Sequence, residues 1–167
     1  RDTVYQLSGT QWIPYLYLDM GKYQMPIEYE AWYSEDAYNK NAINYWNIPR
    51  LEEDDRYFFF TAVRQKYIQK GENENDCKFI IYDKKAKEGF VVKDENGMKI
   101  TDDILGGPNF WPRWSTDNFY ITTMEWSDLE QWTKEEKHIL SPTLQEQFET
   151  WGEDTNQLIV LCKKNNI

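Results

Sequence analysis

The chain has 167 residues, enough for one ordinary domain with a single hydrophobic core. Aromatic residues make up 17% of it, which excludes a disordered chain and favours β-strands, since flat rings pack well on a half-buried pleated surface. The formal net charge of −10 excludes the basic footprint of a nucleic-acid-binding protein and disfavours an anionic membrane surface, which leaves neutral or cationic ligands.

The sequence shows no targeting segment and no membrane helix. No run approaches the ~20 apolar residues of a membrane span, and the chain begins with Arg1 without a signal peptide, so we expect this start to result from a cut. Cys77 and Cys162 each lie in an apolar run and lack the further ligands of a zinc site. They are predicted to be buried thiols, with a disulfide between distant strands as the alternative.

The first segment predicts a β-hairpin. The runs VYQL and IPYLYLDMG flank a Ser-Gly turn, and the second run alternates between two faces with the period of a strand. Residues 1–22 are therefore interpreted as the end of one sheet.

The central segment, residues 43–95, predicts a complete four-stranded meander. Polar turns separate its β-prone runs, and the acidic run at 51–55 is predicted to be a solvated turn. The predicted strands are INYWNIP, RYFFFTAVRQ, CKFIIYD and FVVK. The expected core positions include Phe58, Phe60, Phe79, Ile81 and Val160.

The last segment, residues 104–167, predicts two strands around a helical insertion at 127–152. The strand NFYITTMEW precedes it and NQLIVLCKK follows it. Ser127 and Glu130 predict a capping box for a helix over Asp128–Lys137. Ser141 as N-cap and Gly152 as the stop predict a second helix over Pro142–Trp151.

Four-stranded antiparallel meanders repeated in series are how β-propellers are built. The predicted fold class is therefore all-β: a partial β-propeller with a short two-helix insertion, forming a single domain over 1–167. The first sheet lacks its early strands and the last lacks one partner, so both outer faces are expected to expose aromatic residues such as Trp12, Trp111 and Trp126.

Five motifs, in order along nearly the whole chain, resemble those of the six-bladed β-propeller lipoproteins of Bacteroidales, a family largely of unknown function. They are YLYLDMGKYQMP, RLEEDDRYFFF, CKFIIYDKKAKEG, DDILGGPNFWPRW and NQLIVLCKKN. Met20 and Leu105 depart from the family pattern, which prefers phenylalanine and often has a second aspartate at these places. The resemblance covers only the C-terminal half of such a protein. It implies a periplasmic or cell-surface location, with membrane attachment only through a lipid anchor outside this sequence.

The stretch LGGPNFWPRW, from Leu105 to Trp114, has two interpretations. Its glycines and prolines predict a sharp turn whose aromatic side chains wedge between sheets, which is the favoured interpretation. In the alternative, Trp111 or Trp114 stacks on a ligand at the mouth of the channel. Asp102 and Asp103 precede this turn, and as neighbours on a strand they would point to opposite faces. The candidate ligand-binding residues are Trp111, Trp114, Asp102 and Asp103.

No motif in the sequence specifies a reaction, a metal or a cofactor. The only histidine, His138, lies in a polar stretch between the predicted helices, and no GxSxG, GxGxxG or phosphate-binding loop is present. We therefore expect an extracytoplasmic module that binds a protein or glycan without catalysis. The alternative is a carbohydrate-active enzyme with Trp platforms and a carboxylate pair. The expected partners are this ligand and either the missing half of the propeller or a second copy of the chain.

Overall fold

The structure is a computed structural model that describes residues 3–27, 44–64, 77–93, 99–134, 139–152 and 156–164. The chain divides into two compact units. One comprises Arg1–Pro49 and Ala62–Cys77, and the other comprises Arg50–Thr61 and Lys78–Ile167. The single-domain organisation over 1–167 stays a prediction.

The first unit contains the predicted hairpin. Strands β1 (Thr3–Ser8) and β2 (Gln11–Tyr17) pair antiparallel, with Tyr5 opposite Pro14 and Leu7 opposite Trp12. Residues directly opposite each other in a ladder share one face, and here that face is exposed, with Trp12 exposed to 69%. The expectation of an uncovered aromatic at this sheet is confirmed for Trp12.

The predicted meander is a four-stranded sheet in the order β3-β4-β5-β6. Its strands are β3 (Trp46–Glu53), β4 (Tyr57–Arg64), β5 (Cys77–Asp83) and β6 (Glu88–Val91). Three consecutive phenylalanines of β4, Phe58 to Phe60, are all buried. Because successive strand residues point to opposite faces, both faces of β4 are covered. Phe58 and Phe60 are thus core residues as predicted, whereas Phe79 and Ile81 are only partly buried.

The acidic run at 51–55 is not the solvated turn that its composition predicts. Strand β3 continues through Pro49 to Glu53, and only the residues around Asp54 and Asp55 turn the chain. A proline is compatible with β3 because this strand lies at the end of the sheet, where a missing N–H donor costs no ladder bond. The side chain of Asp54 is buried, for reasons given below.

The third sheet has the order β7-β8-β9, with β7 (Trp114–Ser115), β8 (Phe119–Met124) and β9 (Leu158–Lys163). Helices α1 (Trp126–Thr133) and α2 (Pro142–Thr150) lie between β8 and β9 in sequence, as predicted. Neither is long and apolar enough to cross a bilayer, nor is any other helix of the described ranges.

The helix ends agree with the sequence pattern in α2 and differ in α1. In α2 the Ser141 hydroxyl accepts a hydrogen bond from the Leu144 amide at 3.3 Å, and Pro142 is the first helical residue. Helix α1 begins two residues earlier than Asp128, because Glu125 and not Ser127 occupies the N-cap. The Asp128 carboxylate there accepts from the Glu125 amide at 3.1 Å.

The helical insertion forms an apolar core with strand β8. Leu129 and Leu144 are buried against Met124 of β8, and the predicted helix face contributes Phe148 and Trp151 at its edge. Val160 of β9 packs against the same cluster, so it lies at the margin of the core. Trp126 stacks on Phe148 at a ring-centroid distance of 5.8 Å and is only partly exposed, which corrects its predicted exposure.

Candidate functional site

The segment from Ile100 to Phe110 is a loop closed at its base by two backbone hydrogen bonds. The Ile100 amide donates to the Phe110 carbonyl at 3.0 Å, and the Phe110 amide donates to the Ile100 carbonyl at 2.6 Å. Loops whose ends meet in this way are compact, and many of them carry function. This segment is called the 100–110 loop below.

Asp102 holds the interior of the 100–110 loop. Its Oδ1 accepts hydrogen bonds from the amides of Ile104 at 3.2 Å and Leu105 at 2.9 Å, and its Oδ2 accepts from the Gly107 amide at 3.3 Å. An aspartate that binds amides two and three residues onward fixes a turn locally. Asp102, predicted to be a ligand-binding residue, therefore has both oxygens engaged in the fold of the loop, whereas Asp103 is exposed.

Gly106 allows the 100–110 loop to approach the helical insertion. Its φ is +70°, in the left-handed region that glycine adopts at little cost. A β-carbon at this position would clash with the Ile139 carbonyl oxygen. Both the backbone conformation and the available space thus require glycine here.

Two hydrogen bonds fasten the loop to the insertion. The Ser141 amide donates to the Leu105 carbonyl at 2.7 Å, and the Trp132 indole N–H donates to the Gly106 carbonyl at 2.9 Å. The tip of the loop is consequently fixed from within by Asp102 and from outside by residues of the insertion.

The 100–110 loop and the segment that passes Gly106 each present an aliphatic side chain to solvent. Ile104 at the tip of the loop is 78% exposed, and Ile139, on the segment that passes Gly106, is 83% exposed. Asp103 lies beside Ile104 and is also exposed. We call Asp103, Ile104 and Ile139 the tip surface.

Trp111 follows the 100–110 loop and is a packing residue. It is only 6% exposed, which corrects its predicted exposure. Its ring meets Phe79 edge-on at 4.8 Å and Phe59 at 5.7 Å between centroids. These contacts agree with the favoured interpretation of the turn as an aromatic wedge. Trp114, by contrast, is 50% exposed at the start of β7.

The structure also contains a buried polar cluster that the sequence did not indicate. The Tyr120 hydroxyl donates to Asp54 Oδ2 at 2.5 Å, and Lys164 Nζ lies 3.2 Å from the same oxygen. Lys164 also lies 4.6 Å from the centre of the Tyr120 ring. The other Asp54 oxygen accepts from the amides of Arg56 and Tyr57. No motif marks this cluster, since its members come from three distant segments.

The pKa values in this cluster follow from burial and these contacts. Burial alone raises the pKa of Asp54, but hydrogen bonds from Tyr120, from two backbone amides and from Lys164 outweigh it, so the pKa lies below its usual value. Burial, followed by the hydrogen bond to Asp54 and its negative charge, raises the pKa of Tyr120 well above the ordinary tyrosine value. Asp54 is therefore an anion and Tyr120 a neutral donor at neutral pH.

The described residues suggest no metal site. They contain no group of three or more His, Cys, Asp or Glu side chains that could hold an ion. Cys77 and Cys162 are half-buried thiols that are not joined in a disulfide. Burial, with the charge of Asp102 in addition, raises the pKa of the Cys162 thiol. His138 lies outside the described residues.

The described residues form antiparallel β-sheets with a small helical insertion, so the protein is of the all-β class. The chain belongs to a family of domains of unknown function, DUF4934, whose model matches residues 1–163. This agrees with the expected membership of a family without an established function.

One solved structure shares this fold. It is a crystal structure at 2.60 Å of a protein classed as exported, from Bacteroides fragilis NCTC 9343, with 15% sequence identity and a TM-score of 0.59. The alignment covers 98% of this chain and 45% of the other, so the chain spans less than half the length of that protein. No curated protein matches the chain.

Proposed function

We propose that this chain is part of an extracytoplasmic β-propeller module that binds a ligand by surface contact, without catalysis. Three features support the propeller architecture: the four-stranded meander β3–β6, the two incomplete sheets beside it in sequence, and the motifs shared with propeller lipoproteins. The B. fragilis protein that shares the fold is classed as exported, which supports the location.

The observation that carries the proposal is the contrast between the rigidity of the 100–110 loop and the exposure of its tip. Asp102, Trp132 and Ser141 fix the loop, yet Ile104 and Ile139 project large apolar surfaces into solvent. Holding a loop in one conformation lowers the entropy lost on binding. Side chains exposed to this extent contribute little to the fold and are available to a partner.

A protein ligand fits the tip surface better than a glycan does. Ile104 and Ile139 are aliphatic, and aliphatic side chains gain free energy mainly by removing apolar surface from water. The exposed aromatic ring nearest in sequence is Trp114, on β7. If the ligand is instead a glycan, Trp114 is the residue on which it would stack.

The engagement of Asp102 argues against the enzyme alternative at this loop. A glycosidase needs two carboxyl groups free to exchange protons or attack carbon, roughly 5–10 Å apart. Asp102 accepts three backbone hydrogen bonds and Asp54 accepts from Tyr120 and two amides, so each acts as a structural acceptor.

Site-specific photo-crosslinking tests the proposal. A photo-reactive amino acid replaces Ile104 in one variant and Ile139 in a second, and the matched control carries it at the exposed Lys85, on the β5–β6 turn. Each variant is irradiated with an envelope fraction of a Bacteroides species, and the chain is also applied to a glycan array.

We expect the Ile104 and Ile139 variants to capture the same protein and the Lys85 variant not to capture it. Binding to the array that is lost in Trp114→Ala would identify a glycan ligand. Equal labelling at all three positions, with no array signal, would contradict a binding role for the tip surface.

A further inference from the structure

Two buried polar atoms at the base of the 100–110 loop have no hydrogen-bond partner among the described residues. They are the indole nitrogen of Trp111, which carries a hydrogen, and the side-chain oxygen Oδ1 of Asn109. Most buried polar side-chain atoms in folded proteins have a partner, because burying such an atom without one costs free energy. A donor and an acceptor that lack partners two residues apart therefore indicate a binding site.

Both side chains lie on the same side of one extended segment. Phe110, which stands between them, pairs with the other end of the loop in an antiparallel bridge, with backbone hydrogen bonds in both directions. Because successive side chains of an extended chain point to opposite sides, Asn109 and Trp111 share the side opposite Phe110. Trp111 is buried on that side against Phe59 and Phe79. The indole N–H and the Asn109 oxygen thus face the interior together.

The packing around Trp111 supplies aromatic rings and no partner for these two atoms. Phe59 and Phe79 lie 5.7 and 4.8 Å from its ring between centroids, and phenylalanine has no hydrogen-bonding group. The Tyr120 ring also meets Phe59, but its hydroxyl already donates to Asp54. The two polar atoms therefore lie beside side chains that do not bond them.

We infer that Asn109 and Trp111 together bind one water molecule, which forms part of the fold at the base of the 100–110 loop. The water accepts a hydrogen bond from the indole N–H and donates one to the Asn109 oxygen. An anion would be repelled by that oxygen, and a cation would gain nothing from the indole N–H, which only donates. The ligand is therefore neutral and both donates and accepts, which are the properties of the water molecules that proteins hold in their interior.

This water fastens a part of the loop that the other contacts do not reach. Asp102 fixes the interior of the loop, and Trp132 and Ser141 fix its tip. Asn109 and Trp111 belong to the segment by which the chain leaves the loop. A water bound to both side chains joins them and so orients this exit against the aromatic packing on β4 and β5. The inference stands apart from the proposed function, because no step of it uses the tip surface.

Two replacements that keep the shape of a side chain and remove one polar atom test the water site. One incorporates benzothienylalanine at Trp111, which puts sulfur in the place of the indole N–H. The other is Asn109→Leu, which removes the amide oxygen at similar volume. Each takes one partner from the water, so we expect each to lower the folding equilibrium constant, measured by urea denaturation, by about five- to tenfold.

The double variant and a control separate shared binding from two independent effects. We expect the double variant to lose clearly less than the two single losses combined, because both remove the same water. The matched control carries benzothienylalanine at Trp114, whose ring is 50% exposed, and its folding constant is expected to change by less than about twofold.

Atoms that simply lack a partner would respond in the opposite way. Removing an unsatisfied buried polar atom removes a cost, so it leaves stability unchanged or raises it. Neutral or stabilising single replacements would therefore overturn the inference. Losses that add fully in the double variant would also overturn it, because the two atoms would then have separate partners.

Nuclear magnetic resonance detects the water directly. A water held against the Trp111 indole proton gives a rotating-frame Overhauser cross-peak with the solvent signal, opposite in sign to the peak that proton exchange gives. We expect this cross-peak in the unaltered chain, assigned through its loss in Trp111→Phe, and we expect it to weaken in Asn109→Leu. Its absence from the unaltered chain would overturn the inference even if both replacements lowered stability.

Discussion

Strand β4 contains four aromatic residues, as do the two strands of the β1–β2 hairpin together, but in opposite environments. In β4, Phe58 and Phe59 are buried on opposite faces of a central strand. In the hairpin, Tyr5 and Trp12 lie on a face that the described part of the chain leaves in solvent. The difference shows that the residues that pack over a sheet face determine burial, as Trp111 and Tyr120 do over Phe59, and that aromatic content alone does not. Aromatic residues thus stabilise the fold in β4 and are available for contacts in the hairpin.

The largest expected effect comes from truncating one ring in each region. Phe59→Ala removes a ring that contacts Trp111 and Tyr120, so we expect a loss of about 3–5 kcal/mol in the free energy of unfolding. Tyr5→Ala, at a half-exposed position of the hairpin, is expected to change it by less than about 0.5 kcal/mol. Urea denaturation, monitored by tryptophan fluorescence, measures the free energy of unfolding of both variants. Equal losses would contradict the difference in environment between β4 and the hairpin.

The second comparison is between two turns that each contain a glycine. Gly106 and Gly9 both have positive φ, at 70° and 61°, but an added β-carbon clashes with a backbone oxygen only at Gly106. Gly9→Ala should cost about 1–2 kcal/mol from conformation alone, and Gly106→Ala should cost more, because Ile139 must also move. Thermal melting of the two variants measures which substitution lowers stability more. A smaller shift for Gly106→Ala would mean that the loop is not fastened to the insertion.

Tyr120→Phe tests the buried polar cluster. Losing a hydrogen bond to a charged group costs about 1.5–3 kcal/mol. The folded pKa of Asp54 lies below its unfolded value, so its contribution is present above pH ~3.9 and is lost as the pH falls through the folded pKa. Without the Tyr120 donor that folded pKa rises, and acid unfolding should begin at a higher pH. Acid titration by circular dichroism measures the midpoint, and an unchanged midpoint would count against the bond.

The smallest effect on stability is expected at the tip surface. Ile104 is exposed and makes no contribution to the core clusters, so Ile104→Lys should alter the free energy of unfolding by less than about 0.5 kcal/mol. The same change should reduce crosslinking from Ile139 to the partner. A clear loss of stability in this variant would show that Ile104 packs in solution.

Local patterns in the sequence predicted most strands and the two helices, because alternation, turn residues and caps act within a few positions. The hairpin β1–β2, the meander β3–β6 and the Ser141 cap of α2 are examples. Features that depend on distant partners were not predictable. In the sequence, Asp54 belongs to an acidic run that predicts a solvated turn. Only the fold brings Tyr120 and Lys164 beside it.

In the candidate site, too, features that depend on distant partners could not be predicted from the sequence. The turn at Gly106 was predicted from composition, but the engagement of Asp102 depends on amides that only the folded loop brings together. The burial of Trp111 depends on Phe59 and Phe79, which lie far away in the sequence. Ile104 and Ile139 carry no motif, and only their exposure in the folded chain marks them as a surface.

Native-state hydrogen exchange of the isolated chain tests most directly the claim that apolar residues are divided between a core and contact surfaces. The account predicts that amides of Phe58 to Phe60 in β4 exchange only through extensive unfolding, while the amides of the β1–β2 hairpin exchange orders of magnitude faster. Equal protection of β4 and of the hairpin would contradict it, because the exposed hairpin face would then already be covered in the chain alone.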